Sequence, residues 1–144
     1  MLKKAGYTFI ELLVVILLVL LLFSLSTPFY SRFVLQDAVD NTANQLAGSL
    51  RKAQMYSMTG KQNGSWGVHY DSFTITFFKG SSYATRNSAF DEKYSVNQNI
   101  SISGFSDVVF SKVTGLPSTT PTVTISGGGS SKIISVNTQG IVNR

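Results

Sequence analysis

The sequence contains no cysteine, one histidine and three prolines, and only 13% of its residues are charged. Without cysteine there is neither a disulfide framework nor a thiolate metal site. His69 stands in a strand-like stretch with no carboxylate cluster beside it, so it reads as a core or surface histidine, and no metal site is expected. The serines form no Gly-x-Ser-x-Gly elbow. Gly127-Gly128-Gly129 precedes neither Gly-Lys-Ser/Thr nor a helical pattern, which removes a phosphate loop. Asp91-Glu92 and Asp107 are isolated acids in loop-like sequence. No catalytic residue and no cofactor is assigned, and the chain is read as not an enzyme.

What is present is unevenly distributed. The 144 residues are 43% hydrophobic, yet from Leu12 to Phe23 every residue is Leu, Val, Ile or Phe. Beyond Pro28 the chain is polar and rich in Ser, Thr, Asn and Gly. Length and composition therefore point to one small, loop-rich domain plus an accessory apolar segment. Net charge is +5, but Lys3 and Lys4 supply two of those charges. Past residue 6, ten basic residues face seven acids, which is no electrostatic footprint for nucleic acid.

As a helix, Tyr7 to Thr27 spans roughly 30 Å, enough to cross a bilayer core. Lys3 and Lys4 place the preceding residues in the cytoplasm. A secretory signal peptide cleaved at Ser24-Leu25-Ser26 and a plain membrane anchor are both open readings. Glu11 fits them poorly, because a carboxylate in such a segment costs about 3 kcal/mol and calls for a partner. Cleavage after Gly6 would create an α-amino group at Tyr7, one helical turn from Glu11. In staggered, side-by-side helices, Glu11 of one copy would meet that amine on its neighbour, neutralising both charges and setting the register.

Lys3-Lys4-Ala5-Gly6, then Tyr7-Thr8-Phe9-Ile10-Glu11-Leu12-Leu13-Val14-Val15-Ile16, resembles the class III leader of type IV pilins and type II secretion pseudopilins. The resemblance implies that a prepilin peptidase cuts between Gly6 and Tyr7 on the cytoplasmic side and N-methylates Tyr7. It also implies that the apolar segment becomes the filament core, with Glu11 in subunit assembly. Tyr7 departs mildly from the Phe usual at the methylated position.

Pro28 predicts a kink, since it removes one helical hydrogen bond and crowds the carbonyl of Ser24. Leu35, Val39, Ala43, Leu46, Leu50 and Ala53 then recur in steps of three and four, an apolar stripe on a helix running from about Phe29 to Met58 and ending near Gly60. Strands are predicted over 66–70, 73–78, 100–102, 108–110, 123–125 and 133–136, with hairpin turns at Asp71-Ser72 and Gly127–Gly129. The stretch from Lys79 to Asn99 reads as irregular. The expected fold is α+β and type IV pilin-like: a long N-terminal hydrophobic helix on a small antiparallel sheet domain. Its parts are a leader over 1–6, a transmembrane or filament-core helix half over 7–28, an amphipathic half over 29–60 and a β-rich domain over 61–144.

The stretch Val109-Phe110-Ser111-Lys112-Val113-Thr114-Gly115-Leu116-Pro117-Ser118, followed by two strands and Ile134-Ser135-Val136-Asn137-Thr138-Gln139-Gly140, resembles GspH/FimT-type minor pseudopilins. The implied function is that of a minor subunit acting in filament assembly or initiation and in protein secretion. Implied partners are other pilin or pseudopilin subunits, the prepilin peptidase, the inner-membrane assembly platform and the membrane. The implied location is the inner membrane, single-pass, with the domain outside the cytoplasm. The alternative is a DNA-binding minor pilin for DNA uptake in transformation. Some FimT-like proteins bind DNA through a Gly-Arg-x-Arg tail, but here Gly140 is followed by Ile141, Val142, Asn143 and Arg144. Lys132 and Arg144 are the cations left for that role, too few for phosphate-driven binding at ordinary salt. The many aromatics from Trp66 to Phe110 read as filling for a thin core rather than as a stacking platform.

Overall fold

The computed structural model describes residues 6–144, apart from the side chains of 25–29 and 31. Its first element, α1 (Phe9–Met58), is a single helix of 50 residues. Thr8 caps it, the side-chain oxygen accepting from the Glu11 N–H. Gly60, at φ +61°, takes the left-handed conformation that ends helices. The carbonyl of Ser57 accepts from Gly60 and Val113 N–H groups, and its hydroxyl accepts from Trp66 N–H. The helix end is thereby tied to the strands that follow. The kink expected at Pro28 falls among 25–29, outside the described side chains, and α1 is assigned as helix throughout.

Two antiparallel four-stranded sheets cover the second half of α1. The first holds β1 (Trp66–Asp71), β2 (Thr74–Lys79), β3 (Asn87–Ser95) and β5 (Asp107–Phe110), in the order β3-β2-β1-β5. The second holds β4 (Ser101–Ser103), β6 (Thr122–Gly127), β7 (Ser130–Val136) and β8 (Val142–Asn143), in the order β4-β6-β7-β8. This is the expected α+β architecture, a long helix on a small antiparallel domain, with the strands shared between two sheets.

One core joins all three layers. Val39, Ala43, Leu46, Leu50 and Ala53 of α1 are fully buried, as the stripe requires. They meet Val68, Ile75, Phe77 and Phe110 from the first sheet and Val123, Ile125 and Ile134 from the second. Trp66 stacks on Phe77 at 5.1 Å and meets Tyr56 and Phe90 edge-on, so these aromatics are core and not a platform. The face of the first sheet turned away from α1 is also covered. There Phe78 is fully buried, with Tyr83 edge-on to it at 5.5 Å.

Two details differ from expectation. The segment read as irregular contains β3, an exposed edge strand paired with β2. Its sequence, Asn-Ser-Ala-Phe-Asp-Glu-Lys-Tyr-Ser, has the charge that blunts a sheet edge and lacks the apolar alternation that marks a half-buried strand. The first hairpin turns at Ser72-Phe73, one residue later than Asp71-Ser72.

Candidate assembly interface

From Phe9 to Val34 the large apolar side chains that are described are exposed, and only from Val39 onward does α1 bury a stripe in the domain. The reason lies in the chain length. The sheets reach α1 no lower than the β6–β7 turn, where Gly128 packs against Leu35 and the Arg32 carbonyl. The described apolar side chains before that point are not covered by the domain, and they form an exposed apolar rod.

The rod begins with the residues singled out for processing. Gly6 and Tyr7 precede the helix in non-helical backbone. Tyr7 is 87% exposed, and nothing lies within 4 Å of the place a Gly6 side chain would occupy. Among the described residues, none packs over this pair. Lys3 and Lys4 lie outside the described residues.

Glu11 sits in the first turn of α1 as the third helical residue after Thr8. Thr-x-x-Glu is a capping-box pattern, a local reason for an acid here that periodicity did not reveal. Half of the box is formed: the Thr8 oxygen accepts from Glu11 N–H at 3.3 Å. Among the described residues the Glu11 carboxylate has no hydrogen bond or ion pair, and it faces a groove of about 340 Å³ shared with Tyr7, Leu12 and Val15. The positive end of the helix dipole favours the acid but does not neutralise it.

Among the described residues no helix is long and apolar enough to cross a membrane. The continuously described part of the apolar half ends at Ser24, so a span over Tyr7–Thr27 rests on the sequence.

Lys132 and Arg144 do come together, on a residue the sequence did not single out. Asp40, on α1 just above the rod, takes Lys132 at 3.0 Å and Arg144 at 2.7 Å through the same carboxylate oxygen. Arg144 also donates to Asn44. The hydrogen bond from Lys132 holds the Asp40 carboxyl below its ordinary range; burial opposes this, and the charges of Lys132 and Arg144 add to it. Both cations thus serve an intramolecular acid. His69 stacks on Tyr83 at 3.6 Å on the outer sheet face, and among the described residues no group of three or more His, Asp or Glu side chains could hold a metal.

No family model matches the sequence, and no curated protein matches it. Among solved structures, the fold is similar to that of the minor pseudopilin EpsH from the type 2 secretion system of Vibrio cholerae. The two share 12% identity at a TM-score of 0.55, over 73% of this chain and 94% of the other. At that identity the likeness establishes a pseudopilin-like fold and nothing finer.

Proposed function

We propose that this chain is a filament subunit, a minor pilin or pseudopilin of the GspH/FimT type, working in a type II secretion pseudopilus or a type IV pilus. Its role is filament assembly or initiation and, in the former, protein secretion. One observation carries the reading: an exposed apolar helical rod with an unpaired acid near its start, continuous with the helix that forms the spine of a pseudopilin-like domain. A rod of this kind calls for cover, which a lipid bilayer and a bundle of like helices both supply. The subunit waits in the inner membrane by its residue 7–28 half, with the domain outside the cytoplasm. Prepilin peptidase cuts after Gly6 and methylates Tyr7, and the assembly platform passes the rod into the bundle. There Glu11 meets the Tyr7 amine of the neighbouring copy, so the charge costly in lipid acts as a register mark between subunits.

The test is the intact mass and N-terminal sequence of the protein from its native membrane fraction. A chain beginning at N-methylated Tyr7 is the expected result, with processing blocked in Gly6→Val. A chain beginning at Thr27 makes it a secreted domain and overturns the proposal, as does normal cleavage of Gly6→Val. DNA uptake is not adopted, because the two cations it would use are engaged by Asp40.

A further inference from the structure

Between Glu11 and Asp37 the chain has one charged residue, Arg32. It lies four residues beyond the 7–28 half, about 6 Å along the helix axis. That is within the depth of a bilayer headgroup layer, roughly 5–8 Å. Arg32 is exposed and, among the described residues, has no ion pair. Tyr30 and Phe33 beside it are 72% and 61% exposed. An arginine between exposed aromatics just past an apolar run is the composition of a membrane–water boundary. There a ring lies against lipid with its polar edge wet, and a guanidinium reaches phosphate.

The domain comes down to the same level. Arg32 stands three residues before Leu35 and seven before Val39, on the face of α1 that the sheets cover further up. The β6–β7 turn ends there: a side chain on Gly128 would come within 2.6 Å of Leu35 Cβ and 3.3 Å of the Arg32 carbonyl oxygen. Gly128 and Gly129, at φ +59° and +80°, make a turn without side chains, and nothing lies within 4 Å of the place a Gly129 side chain would take. Neither Arg32 nor this bare turn has an acid on it. Asp37 is five residues higher on α1, and Asp40, higher still, is held by Lys132 and Arg144. The β1–β2 turn reaches the same end of the domain, the Phe73 carbonyl accepting from Val96 N–H and the Asn99 carbonyl lying 3.1 Å from the place of a Gly127 side chain. That turn carries the exposed acid Asp71 and strained left-handed backbone at Ser72 and Phe73, φ +49° and +59°. An anionic surface repels its carboxylate, so the α1 side of the domain floor is the side suited to lipid.

We infer that Tyr30, Arg32 and Phe33, with the Gly128–Gly129 turn, seat the domain on phospholipid headgroups of the leaflet on its own side, Arg32 binding lipid phosphate. The seat fixes how high the domain stands over the bilayer before the rod is withdrawn into a filament. The inference rests on the membrane reading of the rod and adds to it a contact made by the domain itself.

The native chain has no cysteine, so a single engineered thiol carries a fluorophore at one chosen height. Ser130→Cys labels the turn. Thr138→Cys labels the far end of the domain, at the level of Gln54, which donates to the Gln139 carbonyl about 33 Å further along α1 than Arg32. Full-length protein is reconstituted in vesicles of phosphatidylcholine and phosphatidylglycerol, with and without a lipid bearing a nitroxide on its headgroup. Flotation tests the membrane reading, and quenching tests the seat. Protein that floats, quenched at Ser130→Cys and not at Thr138→Cys, is the expected result. Arg32→Gln lowers the ratio of quenched to unquenched turn label about five-fold, the effect of one cation near an anionic surface, and Arg32→Lys retains it. Floating protein with the turn unquenched, or with both labels quenched alike, overturns the seat and leaves the membrane reading standing. Protein that does not float overturns both. Unchanged quenching in Arg32→Gln overturns the binding of lipid phosphate by Arg32.

Discussion

The guanidinium of Arg144 lies 2.7 Å from the carboxylate of Asp40, a contact spanning 104 residues of chain. It closes the second sheet onto α1 where the helix emerges from the domain. Arg51 to the Val142 carbonyl and Gln54 to the Gln139 carbonyl continue the same seam upward. The helix above the rod is thus tied to the second sheet at Asp40, Arg51 and Gln54.

Removing Asp40 loosens that clamp. Asp40→Asn lowers the thermal midpoint at neutral pH and speeds amide exchange in β8. The carboxyl is held below its ordinary 3.8, so its contribution is fully present above that value and fades as pH falls through the lower folded-state value. The difference between native protein and variant, followed by thermal melts, should therefore vanish in acid and persist at neutral pH. A gap that survives in acid assigns the effect to something other than the charge.

Two explanations of Glu11 separate cleanly by substitution. A capping box accepts Gln as well as Glu, whereas a charge pair needs the acid. Glu11→Gln keeps the helix start yet leaves a neighbour's amine without its partner, and should cut the filament fraction on the order of 100-fold. Thr8→Ala removes the cap and should leave assembly largely intact. Sedimentation of native filaments measures both; a normal Glu11→Gln filament would reduce Glu11 to a capping residue.

Gly67 is confined by its neighbours. A side chain there would come within 2.7 Å of both the Phe78 ring and the Val108 carbonyl oxygen. The ring can shift, but the backbone oxygen is held by pairing between β1 and β5. Gly67→Ala should cost about 1–3 kcal/mol of stability in denaturant titration. A neutral effect would mean that β5 moves freely against β1.

Nucleic acid is expected to give no gel shift with the full chain at ordinary salt, since Asp40 holds Lys132 and Arg144. A salt-sensitive shift lost on Lys132→Ala and Arg144→Ala would instead place DNA uptake first.

The sequence by itself determined the elements whose causes are local. The apolar run, the three-and-four stripe from Val39 to Ala53 and the glycine after Met58 specify one long helix, half of it unburied, because helix period and termination are read within a few residues. Apolar strands such as Trp66–Asp71 and Ser130–Val136 were legible for the same reason. The reading of Gly6, Tyr7 and Glu11 as a leader rests on the sequence alone, whereas Thr8 as a cap could have been read from Thr-x-x-Glu.

Only the tertiary structure decided what depends on distant partners. β3 is polar on its own and becomes a strand because β2 offers it an open edge. The division into two sheets is a matter of pairing, which no strand states about itself. Asp40 looked like one more solvated acid until folding brought Lys132 and Arg144 to it. The strain at Phe73 arises because the β1–β2 register puts the turn one residue later than composition suggests, leaving a ring where glycine would be at ease.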